Sequence, residues 1–168
     1  MWHQFFGEGK LIPYYIDYLT TPDWRLKGQK CIEKFKIDYP RVPVNVYFGD
    51  QSNSTFLGEV VTESGGNFDV VIDDGGHTYP LIMASFHFLW KHVVPGGVYV
   101  VEDVNALLND EIEVFAGWAM ALMHCNAKNE GFEACSQKTG THKGFNVEKP
   151  VDLVSVECWA AICVFRKK

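Results

Sequence analysis

Along the 168-residue chain the apolar positions fall into short runs, and several runs end in acidic residues. KLIPYYIDY, from Lys10 to Tyr18, is apolar and aromatic up to Asp17 and predicts a short strand, weakened by Pro13. TPDWRLKGQKCIEKFKIDYP places Leu26, Ile32 and Phe35 on one helical face and stops at Pro40. VPVNVYFGD, from Val42 to Asp50, predicts a second strand. NSTFLGEVVTESGG predicts a helix with its N-cap within Ser52 to Ser54 and a glycine stop. In FDVVIDDGG the run Val70-Val71-Ile72 does not alternate with polar residues, which predicts a parallel strand buried on both faces. Thr78 to Gly97 reads as an amphipathic helix closed by Pro95-Gly96-Gly97, and Val98 to Val104 as a fourth strand. NDEIEVFAGWAMALMHCNAKN is a helix with acids in its first turn, and VDLVSVECWAAICVFRKK carries two strands with little between them.

Strands alternating with helices imply right-handed crossovers and an α/β fold with a mostly parallel sheet, here as one domain over residues 1–168. Hydrophobic residues make up 47% of the chain, enough for a sizeable core. The formal net charge of −6, with no basic run, speaks against nucleic acid or an anionic membrane as partner. No stretch approaches the roughly 20 apolar residues of a membrane span. The opening MWHQFFGEGK lacks the pattern of a secretory signal, so a cytoplasmic location is expected. Cys31, Cys125, Cys135, Cys158 and Cys163 are odd in number and form no CxxC pair. They predict reduced, mostly buried thiols, with Cys158 and Cys163 as buried strand residues.

The acids carry the chemistry. Asp17, Asp50, Asp73-Asp74 and Glu102-Asp103 each stand at a predicted strand end, and in a parallel sheet such ends open on one edge, where ligands bind. Carboxylates so crowded need compensation. Some are protonated, or a hydrogen-bond donor such as a ribose is bound, or a divalent cation sits between them. His77, three residues past Asp74, is placed to act as a general base near neutral pH. Plainer readings stand beside these: Asp73 or Asp74 as a helix N-cap, His77 as an ordinary helix-start residue, Glu102-Asp103 as solvated surface. His87, His92 and His124 read as surface or core residues, and Phe86, Phe88 and Trp90 as packing.

FDVVIDDGGHTY, a helix, then LWKHVVPGGVYVVEDV resembles the metal-dependent, S-adenosylmethionine-using O-methyltransferases of macrolide and related natural-product sugars, a class I methyltransferase family with a Rossmann-like fold. VYFGDQSNSTFL resembles that family's third-strand segment, and LVSVECWAAICVFRKK its closing antiparallel strand pair. The resemblance runs from Lys10 to Lys168 and is poor between Asp110 and Pro150. It implies Mg²⁺ held by Asp74, Glu102 and Asp103, and His77 as the base for the acceptor hydroxyl. It implies Asp17 on the cofactor ribose, Asp50 and Gln51 near the adenine, and Asp73 near the methionine part of S-adenosylmethionine. The partner it implies is a small-molecule hydroxyl acceptor; a homo-oligomer is left open. A nucleotide-cofactor protein with other chemistry is the alternative enzyme reading.

One departure matters. The family's first strand and glycine-rich turn precede the second strand and lie at the sheet centre, between the second and fourth strands. Here nine residues precede Lys10, and the glycines of FFGEGK lie before a strand, without the spacing of a phosphate loop. The chain reads as N-terminally truncated. The alternative function is then a catalytically inactive remnant that serves as a binding or assembly module.

Overall fold

The computed structural model describes residues 11–18, 21–104, 111–127, 140–142, 145–147 and 149–168. Phe5–Lys10, Cys135 and the poorly matching stretch from 128 to 139 lie outside them, as do the side chains of His124 and Cys125. In chain order the elements are β1 (Tyr14–Asp17), α1 (Pro22–Asp38), β2 (Asn45–Phe48), α2 (Ser54–Ser64), β3 (Phe68–Asp73), α3 (Tyr79–Leu89) and a 3₁₀ turn (Trp90–His92). Then follow β4 (Val93–Val101), α4 (Glu111–Ala127), β5 (Gly140–His142), β6 (Phe145–Val147), β7 (Leu153–Cys158) and β8 (Cys163–Lys167).

Local chemistry explains the boundaries. Pro13 cannot donate to a ladder, and β1 begins just after it. Asn53 caps α2, its Oδ1 accepting from the backbone N–H of Thr55 and Phe56 at 3.0 and 3.2 Å. Gly65 closes that helix at φ +80°. The helix predicted over Thr78–Gly97 is shorter. It ends at Leu89, and Val93 already pairs with Phe68 in the sheet. Val94–Gly97 bulge out of β4 before Val98 resumes pairing with Val70. Gly97 is required there, because a Cβ would meet the carbonyl oxygens of Asp69 and Val94 at 2.9 Å.

The strands do not form one continuous sheet. β1 pairs with β2 in parallel, while β3, β4, β8 and β7 form a separate four-stranded sheet in that order. β3 and β4 are parallel; β4–β8 and β8–β7 are antiparallel. The break falls between β1 and β3, which is the place the family resemblance gives to the first strand and its glycine turn. Among the described residues no strand bridges it; the rings of Tyr14 and Phe68 approach across it, with centroids 6.3 Å apart.

The core lies on one face of the four-stranded sheet, under α2, α3 and α4. Phe86, fully buried, is its centre. Its ring lies within 4.7 to 5.3 Å of the rings of Tyr99, Phe165, Trp118 and Trp90. The expectation that β3 is buried on both faces is corrected. Val71 packs on the core, but Val70 and Ile72 on the other face are 45% and 37% exposed, because no described element covers them.

The thiols are also corrected. Cys158 and Cys163 form a disulfide rather than standing reduced, and Cys158 is exposed. They form no CxxC pair, but the β7–β8 hairpin sets them directly opposite, with Cα atoms 4.1 Å apart. Cys31 is free and exposed. No described helix is long and apolar enough to cross a membrane.

Candidate functional site

The strand ends do share one edge. Asp17 ends β1, and its carbonyl accepts from the N–H of Gly49, just past β2, at 3.1 Å. Asp73 ends β3, and its carbonyl accepts from the N–H of Glu102, just past β4, at 2.9 Å. Gln51 joins the two halves, its Nε2 donating to Asp73 Oδ1 at 3.2 Å.

Asp74, His77 and Asp103 converge there. One ligand atom from each lies within 4.8 Å of the others. His77 Nε2 stands 3.9 Å from both Asp74 Oδ1 and Asp103 Oδ2. His77 and Asp103 also adopt left-handed backbone, at φ +45° and +52°. Such conformations cost energy in a non-glycine residue and concentrate where function requires them. Nothing in the sequence pattern announced them. Glu102, which the resemblance grouped with these residues, falls outside the converging set, and His77 stands within it. Two carboxylate oxygens partly open to water suit a hard divalent cation that keeps several waters, with the imidazole beside them free to take up a proton.

Asp73 is turned inward. It is 9% exposed and accepts from Tyr99 Oη at 3.0 Å, from Gln51 and from Ser85 Oγ. Alternation along β3 puts it on the core face with Val71. Burial first, and the Asp73 carboxylate second, push the Tyr99 phenol well above its usual range. Gln51 is engaged at both ends of its amide: Nε2 reaches Asp73 and Ser85 Oγ, the latter at 3.3 Å, and Oε1 accepts from the N–H of Gly76 at 2.7 Å. Asp50 folds back on its own turn. Ser52 donates to Asp50 Oδ1 from its hydroxyl at 2.7 Å and its N–H at 2.8 Å, holding that carboxyl below its usual range. Asp17 is exposed.

The glycines of DDGG have a packing reason that only the structure shows. A Cβ on Gly75 would collide with Gln51 Oε1, and one on Gly76 with Leu81 Cδ1. The C-terminal hairpin reaches the same edge, where the carbonyl of Ala161 accepts from the N–H of Val104 at 3.0 Å, one residue past Asp103.

No model of a known protein family matches the chain. Over 104 residues, 62% of this chain, it is 35% identical to mycinamicin VI 2''-O-methyltransferase from Micromonospora griseorubida and to demethylmacrocin O-methyltransferase from Streptomyces fradiae. Over the same length it is 32% identical to a tetracenomycin rhamnosyl 3'-O-methyltransferase from Streptomyces olivaceus. The matched stretch spans 22% of each of these relatives. Among solved structures, MycE methyltransferase from the mycinamycin pathway, in complex with Mg, SAH and mycinamycin VI, superposes with a TM-score of 0.57 at 21% identity. That match covers 92% of this chain and 43% of MycE. A second MycE crystal form gives 0.58 over 99% of this chain and 47% of that one. The chain is thus similar in sequence to macrolide and sugar O-methyltransferases, and its fold is the Rossmann-like fold of those methyltransferase structures.

Proposed function

We propose that this chain is the cofactor- and metal-facing part of an S-adenosylmethionine-dependent O-methyltransferase acting on a hydroxyl of a sugar or another small natural product. The observation that carries the reading is the convergence of Asp74, His77 and Asp103 at the strand edge, in a chain similar to enzymes of that name.

The residues divide the work. Asp74 and Asp103 would hold Mg²⁺, with Glu102 as a further oxygen donor from the same loop. The cation, when bound, supplies positive charge against the acceptor oxygen and lowers the cost of deprotonating it. His77 Nε2 takes the acceptor proton, and the proton it receives then faces two carboxylates 3.9 Å away. Asp17 and the outer oxygen of Asp50 would accept hydrogen bonds from cofactor hydroxyls. Asp73 and Gln51 would serve the cofactor side by shaping the turn beneath it. Holding acceptor oxygen and methyl donor in line is the main remaining contribution. We place the protein in the cytoplasm, with neither nucleic acid nor a membrane as partner, and leave a homo-oligomer open.

One observation favours the second reading, a non-catalytic binding or assembly module. β1 and β3 each lack a ladder partner on their facing edges among the described residues, so the platform under a cofactor is split.

The test is transfer of a radiolabelled methyl group from S-adenosylmethionine, with Mg²⁺, to a macrolide carrying a deoxysugar hydroxyl, beside calorimetric titration of the cofactor. Mg²⁺-dependent transfer lost in His77→Ala supports the enzyme reading. Mn²⁺ binding without cofactor binding or transfer supports the module.

A further inference from the structure

We infer that Gln51 is a positioning residue: its amide is the latch that fixes the turn from Asp73 to His77, and so sets where Asp74 and His77 stand. This inference rests on the cation-site reading for its consequence, but not for its geometry.

The latch needs both ends of an amide. Asp73, when ionised, is acceptor-only, so its neighbour must donate, and Gln51 Nε2 does so at 3.2 Å. The Gly76 N–H donates to Gln51 Oε1 at 2.7 Å, a protein acceptor at an exposed position where water would otherwise serve. Glutamate could not make the first contact, nor methionine either. The turn backbone lies directly against the amide, as the collision of any Gly75 Cβ with Gln51 Oε1 shows.

The consequence falls on His77. Its left-handed backbone, φ +45°, persists only if its neighbours over-determine it. On one side Gly76 is tied to Gln51. On the other, the carbonyl of Thr78 accepts from Leu81 and Ile82 in the first turn of α3, at 3.0 Å each. His77 is clamped between a side chain from the β2 tip and a helix start. Removing the latch frees one side of the clamp and lets the imidazole and Asp74 drift from Asp103.

The experiment uses the full 168-residue chain and Mn²⁺ alone as probe, with amide exchange of Gly76 followed by NMR. In Gln51→Met, and in Gln51→Leu should that variant not fold, Gly76 exchange should rise at least tenfold and Mn²⁺ affinity fall at least tenfold, with an altered Mn²⁺ EPR line shape. Tyr99→Phe is the control for mere destabilisation: it removes another Asp73 partner without touching Gln51 and leaves the Gly76 contact. It should lower the melting temperature yet keep Mn²⁺ affinity within threefold. Unchanged Gly76 protection and Mn²⁺ affinity in the Gln51 variants overturns the inference, as does an equal loss of affinity in Tyr99→Phe. If the wild-type chain binds no Mn²⁺, the cation reading fails by itself and Gly76 exchange decides: fast exchange with shifted His77 ring resonances sustains the latch, and unchanged exchange removes it.

Discussion

Replacing Asp103 by glycine and, separately, by alanine separates backbone strain from cation binding at one position. The Asp103 side chain is 71% exposed and meets His77 Nε2 at 3.9 Å, so losing that pair costs little in stability. Its φ of +52° is the larger matter. A left-handed residue with a Cβ bears roughly 1–2 kcal/mol of strain. Glycine escapes this but loses about 0.5–1 kcal/mol more chain entropy on folding. The balance favours glycine over alanine by roughly 0.5–1 kcal/mol, or about 2 °C in Tm for a chain of this length. Both variants remove one of the two carboxylates that converge with His77. At Mn²⁺ a hundredfold above its Kd, the wild type should gain about 2.7 kcal/mol, or roughly 5–10 °C, and both variants should lose most of that gain. Thermal melts followed by circular dichroism, with and without Mn²⁺, read both effects. Alanine as stable as glycine without metal would refute the strain argument. A full Mn²⁺ shift in either variant would refute Asp103 as a ligand.

Phe86→Ala should destabilise the chain by about 3–5 kcal/mol, because four aromatic rings close on the vacated volume, and a guanidinium midpoint measures it. Tyr99 gives a pH dependence with a definite sign. Its folded-state pKa is raised, so its contribution is whole below about pH 10 and falls as pH rises beyond that, by up to about 1.4 kcal/mol per unit. Tyr99→Phe should flatten that alkaline slope in urea titrations between pH 9 and 11, and a slope equal to wild type would count against it. Reducing the Cys158–Cys163 bond should lower stability by about 2 kcal/mol on loop-closure entropy, seen as a lower urea midpoint that Cys158→Ser reproduces without reductant. Val70→Thr, on the open face of β3, should change stability by less than about 0.5 kcal/mol in the same assay, against a much larger cost were that face buried.

The sequence by itself determined what is local. The order of strands and helices, the run of acids at strand tips and the shared edge all follow from periodicity and from the parallel βαβ rule. That is why Asp17, Asp73, Asp74 and Glu102 come at or just past strand ends on one edge. What the tertiary structure decided depends on partners distant in sequence. Asp73 became a buried anchor because Tyr99, Ser85 and Gln51, up to 48 positions apart from one another, bring three donors to it. His77 joined the converging set, and both it and Asp103 took left-handed backbone; His and Asp adopt that conformation more readily than most residues, but the sequence does not say at which position. Cys158 and Cys163 met because hairpin register set them opposite, and spacing alone does not give register. β3 kept an open face because burial belongs to whatever packs above a strand, and an apolar run can only say that it would tolerate being covered.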